Sequence, residues 1–294
     1  MTYLTKEDWT NILVPKISDD KSFEEFLKQK IKTQNNFIRL ISRIIPSNSQ
    51  KQKILISSMI YYQKYILFTN IEEADLFPKD KLAIYCACIF IALKEANILI
   101  PINKFSQIFQ AYFNKIRHFG DDEIKDLIIQ KEFDILSCME FNMDVNHPYF
   151  ILNLLKKYLQ KKGKDSDIII NIIKLINLII NDSILFPLCL YYTSNEIAFS
   201  CILLAQKKYK EKYILDFINI NELIKLSKIN IDNDNIKECS VYIEKIIKYK
   251  DILQGNSKNI TNNANINENI NNNCLQKDKD NLIIKKVALI QTNN

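Results

Sequence analysis

The chain has 294 residues, 47% of them hydrophobic, with only 3 Gly and 6 Pro. That is apolar mass for roughly two ordinary cores, with too few turn residues for a sheet-rich fold of tight hairpins, so the expected class is all-α. The net charge is +6, and only Arg39, Arg43 and Arg117 of the 40 basic residues are not lysine; a chain equally rich in Asn and Ile owes that excess to compositional bias as readily as to a nucleic-acid surface.

Residues 1–20 read as an arm, in which Thr5 followed by Lys6, Glu7, Asp8 and Trp9 starts a short helix. SFEEFLKQKIKTQNNFIRLISRII then places apolar residues three and four apart, and Ser47-Asn48-Ser49 separates it from KQKILISSMIYYQKYILFT. Pro78-Lys79-Asp80 opens the next helix, with Asp80 as its expected cap. That helix continues as LAIYCACIFIALK, apolar or small on every side, so other helices must surround it. Helices near 102–115 and 121–139 complete a five-helix bundle over 21–145.

Asn146-His147-Pro148-Tyr149 breaks the pattern, with Pro148 expected in the first turn of the following helix. The second half, 146–252, repeats the plan with helices near 148–161, 166–182, 195–208, 220–228 and 234–250. Within it IIINIIKLINLII (168–180) is shorter than the roughly 18 to 20 residues of a membrane helix. Asn171, Lys174, Asn177 and Asn181 give it a polar stripe, so it reads as a core helix with one wet edge and no membrane span is expected. Residues 253–294 form an Asn-rich tail without apolar period, expected to be disordered, although LIIKKVALI near its end could form a short helix or strand.

Two segments echo each other: IYCACIFIALK at 84–94 and IAFSCILLAQK at 197–207. Superposing Cys88 on Cys201 also pairs Ile84 with Ile197, Ala92 with Ala205 and Lys94 with Lys207, and both segments are third helices of their halves. The 7 Cys include no C-x-x-C, and the start MTYLTKEDW has no leader pattern, so reduced intracellular thiols are expected. Cys86, Cys88 and Cys201 in apolar helices act as small hydrophobes. His118 and His147 form no ligand spacing with them, so neither a metal nor a Cys/His or Ser/His/Asp catalytic arrangement is expected.

Two successive five-helix bundles are the plan of the cyclin fold, and several stretches carry a closer likeness. IALKEAN resembles the end of the central cyclin-box helix. FGDDEIKDLIIQKEFDILSCMEFNMDVNHPYFILNLLKKYL resembles the corresponding stretch of transcription-type cyclins, above all cyclin K. INDSILFPLCLYYTSNEIAFSCILLA resembles the second repeat of cyclins K, L and C, and YLTKEDW the arm before the first box of cyclins K and T. KEFDILSCMEFNMDVNHPY also resembles cyclin C.

The resemblance, over about residues 3–250, implies a regulatory subunit without catalytic residues or cofactor of its own, ATP and Mg²⁺ belonging to a cyclin-dependent kinase partner. It implies that Lys94 and Glu132 of the first box bind the kinase, with Ile91, Leu136, Phe141 and Met143 pressed against its C-helix. Phe141 and Met143 lie beyond the glutamate helix, where they have fewer neighbours of their own. The implied substrate is the C-terminal repeat tail of RNA polymerase II, and the implied location is the nucleus. KQKILISSMIYY lacks the Met-Arg…Leu…Trp pattern that opens the first helix of mitotic cyclins, so substrate docking of their kind is not expected. No glutamate signature follows Lys207 as Glu132 follows Lys94, so Lys207 is expected to be an ordinary surface residue. Two other classes share the architecture: a nucleic-acid-binding cyclin fold like that of transcription factor IIB, whose paired C-x-x-C ribbon is missing here, and a helical adaptor without kinase activation. Direct nucleic-acid binding is accordingly not expected.

Overall fold

A computed structural model describes residues 19–45, 48–71, 75–142, 145, 147–213, 218–229 and 231–253, excluding the side chains of 48, 49 and 209–213. The arm with Trp9, Met143, and the tail with LIIKKVALI lie outside the described residues. Among the described residues ten α-helices run in chain order: α1 (Asp20–Ile41), α2 (Asn48–Phe68), α3 (Pro78–Glu95), α4 (Ile102–Phe113), α5 (Asp121–Cys138), α6 (Phe150–Lys161), α7 (Ser166–Ser183), α8 (Ser194–Tyr213), α9 (Ile220–Ser227) and α10 (Asn233–Leu253). A short 3₁₀ turn, Leu188–Leu190, precedes α8, and the described residues contain no strand. The protein is all-α.

The starts of these helices follow local chemistry. Asp19 caps α1, its carboxylate accepting from the Ser22 N–H at 2.9 Å. Before α8, Thr193 and Glu196 form a reciprocal cap: Thr193 N–H donates to Glu196 Oε2 (2.7 Å), and Glu196 N–H donates to Thr193 Oγ1 (3.3 Å). Asn235 of α10 donates to the other Glu196 oxygen at 2.8 Å, so the same carboxylate ties two helices together.

Two expected starts are corrected. Helix α3 begins two residues before Asp80, with Phe77 at the cap position, because the fixed φ of Pro78 suits the first helical position; Asp80 lies in the first turn instead. Pro148 falls in a turn, and α6 begins at Phe150. In addition, KQKILISSMIYY belongs to α2 rather than to the first helix, which reads DKSFEEFLKQKIKTQNNFIRLI.

The echoed segments form the centres of the two halves. Residues Ala83 through Leu93 of α3 are buried without a break, and α3 packs on α1, α2, α4 and α5. Helix α8 packs on α6, α7, α9 and α10. The small residues Ala87, Cys88, Ala198 and Cys201 let neighbouring helices approach on all sides. Helix α7 has its wet edge, with Asn171 and Lys174 exposed opposite Ile172, Ile176, Ile179 and Ile180.

Helix α1 serves both halves. Its N-terminal turns carry Phe23 and Phe26, whose rings lie 6.1 and 5.8 Å from that of Phe186, while Phe23 also meets Tyr249 of α10 at 5.3 Å. Lys245 of α10 sits 4.5 Å over the Phe23 ring and pairs with Asp20 at 3.3 Å. Polar contacts extend the join: Gln34 and Gln63 donate to the carbonyls of Asn181 (3.3 Å) and Ile184 (2.6 Å).

Candidate functional site

Lys94 stands in the last turn of α3, where a cation is favoured by the helix dipole, and α5 runs alongside. The Lys94 ammonium donates to Glu132 Oε1 at 2.6 Å and lies 4.2 Å from the centre of the Phe90 ring. Glu132 is buried, its side chain 12% exposed, whereas that of Lys94 is 40% exposed. An ammonium has three donors; a carboxylate and a ring fix its position from the protein side, and its solvent side can donate to the carbonyls of a partner.

On α5 beside this pair, apolar side chains reach the surface. The inner stripe of α5 is Ile124, Ile128, Glu132 and Ile135, and one position around the helix lie Ile129 and Phe133, exposed at 42% and 62%. Phe141, 58% exposed, folds back onto Phe133 with ring centroids 6.1 Å apart. The chain makes this turn through Glu140 and Phe141, both at positive φ (51° and 59°), closed by the Phe141 N–H donating to the Leu136 carbonyl at 2.8 Å. Left-handed geometry at two non-glycine residues costs on the order of 1 to 3 kcal/mol each, and it places an aromatic ring in solvent.

Of the residues expected here, Lys94, Glu132, Leu136 and Phe141 share this end of α3 and α5, with Leu136 half-buried. Ile91 is a correction: it is 0% exposed, because it lies on the unbroken buried run of α3 and presents no surface to a partner. Met143 lies outside the described residues. Ile129 and Phe133 were missed by the sequence reading, although each stands one residue past a buried position of the stripe.

The neighbouring residue, Glu95, organises a second cluster. Ser57 Oγ of α2 donates to Glu95 Oε2 at 2.6 Å, Lys53 pairs with Oε1 at 3.5 Å, and His147 Nε2 lies 3.2 Å from Ser57 Oγ and 3.7 Å from Glu95 Oε1. Ser57 gives its single hydrogen to Glu95, so the proton in the contact with His147 belongs to Nε2. This trio resembles a hydrolase triad in composition only, because Ser57 is wholly buried and its hydroxyl is committed to a carboxylate. It ties the connection between the halves to the end of α3, beside Lys94.

Burial raises the Glu95 carboxyl pKa, but the hydrogen bonds from His147 and Ser57 and the Lys53 charge outweigh it, leaving the pKa below its ordinary 4.5. The stability this group contributes is therefore fully present above pH 4.5 and is lost as pH falls through the lower folded value. Urea melts across the acid range are expected to show a shallower loss for Glu95→Gln than for the unsubstituted chain. Equal acid slopes would show that the cluster carries no charge-dependent stability.

The second half corrects a further expectation, since Lys207 does have a glutamate. Its ammonium donates to Glu244 Oε2 of α10 at 3.0 Å, and the separations along the chain are 38 residues for Lys94 and Glu132 and 37 for Lys207 and Glu244. The environments differ. Lys207 and Glu244 have side chains 69% and 36% exposed, an ion pair in water worth little, as expected of a surface residue. Burial raises the thiol pKa of Cys86, Cys88 and Cys201, leaving them poor nucleophiles. Among the described residues no three His, Cys, Asp or Glu side chains gather to hold a metal, and no helix is long and apolar enough to cross a membrane.

No protein-family model and no curated protein sequence matches the chain. Solved structures do. A chain of the yeast TFIIK (Kin28/Ccl1/Tfb3) complex is similar with a TM-score of 0.55 at 19% identity, over 81% of this chain and 94% of that one. A chain of the Chaetomium thermophilum CAK complex bound to ATP-γ-S is similar with a TM-score of 0.54 at 14% identity, over 87% and 75%. At these identities the likeness is one of fold, an all-helical one consistent with the cyclin-box plan that the sequence resemblance implies.

Proposed function

We propose that the chain is a transcription-type cyclin, a regulatory subunit that binds a cyclin-dependent kinase at the Lys94–Glu132 face and switches on its phosphoryl transfer. The observation that carries this reading is the 2.6 Å Lys94–Glu132 contact at the edge of an exposed apolar surface formed by Ile129, Phe133 and Phe141. Lys94 donates to backbone carbonyls of the kinase, Glu132 accepts from its amides, and the two aromatic rings pack against its C-helix. Held inward, that helix completes the kinase's own Lys–Glu ion pair, which phosphoryl transfer requires. ATP and Mg²⁺ belong to the kinase. The proposed substrate of the pair is the repeat tail of RNA polymerase II, and the proposed location is the nucleus.

The test is co-expression with each cyclin-dependent kinase of the same proteome, recovery of the heterodimer, and assay on a polymerase tail peptide. A stable pair with activity above that of the kinase alone supports the proposal; a stable pair without activation leaves an adaptor. The apolar surface gives a separate expectation. Phe133→Ala and Phe141→Ala should each weaken kinase binding by about tenfold or more, as exposed aromatic anchors do, while melting within about 0.5 kcal/mol of the unsubstituted chain. Unchanged affinity in a titration of both variants would move the contact elsewhere.

A further inference from the structure

Two of the three arginines of this lysine-dominated chain converge on Tyr112 at the end of α4. Arg39 stands in the last turn of α1, Arg43 just beyond it, and Arg117 in the connection between α4 and α5. Around Tyr112, Arg43 Nε donates to the hydroxyl at 3.3 Å, while the Arg39 guanidinium and the Lys115 ammonium each lie 5.6 Å from the ring centre. Arg117 lies 4.1 Å over Phe119 and pairs with Glu123. Arg39 has Asn36 Oδ1 at 3.3 Å and Arg43 has the tyrosine hydroxyl. Neither has a carboxylate among the described residues, and both are exposed.

Next along the surface of α1 from Arg39 and Arg43, an open groove of about 310 Å³ is lined by Ile38, Ile41 and Ser42 of α1 and its end and by Lys51, Gln52 and Leu55 of α2. On α2 these positions occupy the face opposite Lys53 and Ser57, which turn toward Glu95, so the groove is separate from the proposed kinase face.

We propose that this rim and groove bind a peptide segment in which a phosphorylated serine or threonine stands beside an aliphatic side chain. A guanidinium presents paired donors that match two oxygens of a phosphate, and a ring beneath it holds the fork in place. The Ile38, Ile41 and Leu55 floor fits one or two aliphatic groups, with Lys51 adding positive charge at its edge. The C-terminal dipole of α1 accounts for one cation there; it does not account for Arg43 and Lys115 converging on the same tyrosine. A nucleic-acid backbone fits less well. Its phosphates call for a row of cations, whereas Arg39, Arg43 and Lys115 meet at a single ring and Arg117 is already paired with Glu123.

The probe is a degenerate peptide library with one fixed phosphoserine, passed over the immobilised full chain beside the same library carrying unmodified serine. The expected result is at least tenfold greater retention of the phosphorylated library, with aliphatic residues selected at one or two neighbouring positions. Arg39→Ala with Arg43→Ala should abolish the phosphate preference, Arg39→Lys with Arg43→Lys should reduce it several-fold, and Ile38→Ser, which adds no charge beside Arg39, should abolish only the aliphatic selection. Equal retention of the two libraries overturns the proposal, and so does a preference that survives the double alanine variant. Arginine-dependent binding of a twelve-residue oligothymidylate, tighter than that of the phosphorylated library, overturns it in favour of nucleic acid. No kinase enters the assay, so its outcome is independent of the proposed activation.

Discussion

Lys94→Ala or Glu132→Ala is expected to weaken kinase association by about 30-fold or more, whereas Lys207→Ala or Glu244→Ala should leave it nearly unchanged. The two pairs have the same chemistry and almost the same spacing, so burial sets the difference. Glu132 has a side chain only 12% exposed, and a docked partner would remove the rest of the pair from water. Truncating one member of a desolvated, hydrogen-bonded charged contact costs roughly 2 to 5 kcal/mol, partly because the other is left unpaired. Lys207, at 69% exposure, belongs to the class of exposed ion pairs worth about 0 to 1 kcal/mol. Calorimetric titration of the four variants into one kinase measures both. Equal losses at Lys94 and Lys207 would mean that the first half is not the kinase-binding face.

The second large effect concerns folding. Ile91→Ala should destabilise the protein by about 2 to 5 kcal/mol, because it empties a wholly buried position at the centre of the first bundle. Ile91→Val should cost about 0.5 to 1.5 kcal/mol. The folded fraction of either variant should bind a kinase with unaltered affinity, since the side chain reaches no surface. Denaturant melts paired with affinity measured on folded protein separate the two effects, and a selective loss of affinity without loss of stability would return Ile91 to the interface.

Ile91 also illustrates what the sequence could convey. The unbroken apolar run from Ile84 to Leu93 announces a surrounded helix, and the matching run around Cys201 announces a second one, because burial on every side removes the usual polar face. The same run hides which of its residues would reach a partner. Lys94 and Glu132 were legible only through the cyclin resemblance, since nothing in the periodicity distinguishes a paired lysine from a solvated one. Phe133 was legible in principle, standing one residue past the buried stripe of α5. Ser57, Glu95 and His147 were not, because they come from two helices and the connection between the halves, and meet only after these have packed. Glu244 was overlooked for a similar reason: α10 carries several charged residues, and only the approach of α8 selects the one that meets Lys207.

The aromatic join between Phe23, Phe26, Phe186 and Tyr249 makes α1 common property of the two halves. Its loss would strip the second half of a wall as surely as the first. A shared helix of this kind links the unfolding of the two bundles, so a defect in one is expected to lower the stability of the other. Substitutions near Tyr249, remote from any proposed partner, would then reduce the amount of competent protein in a cell while leaving the properties of each surviving molecule intact.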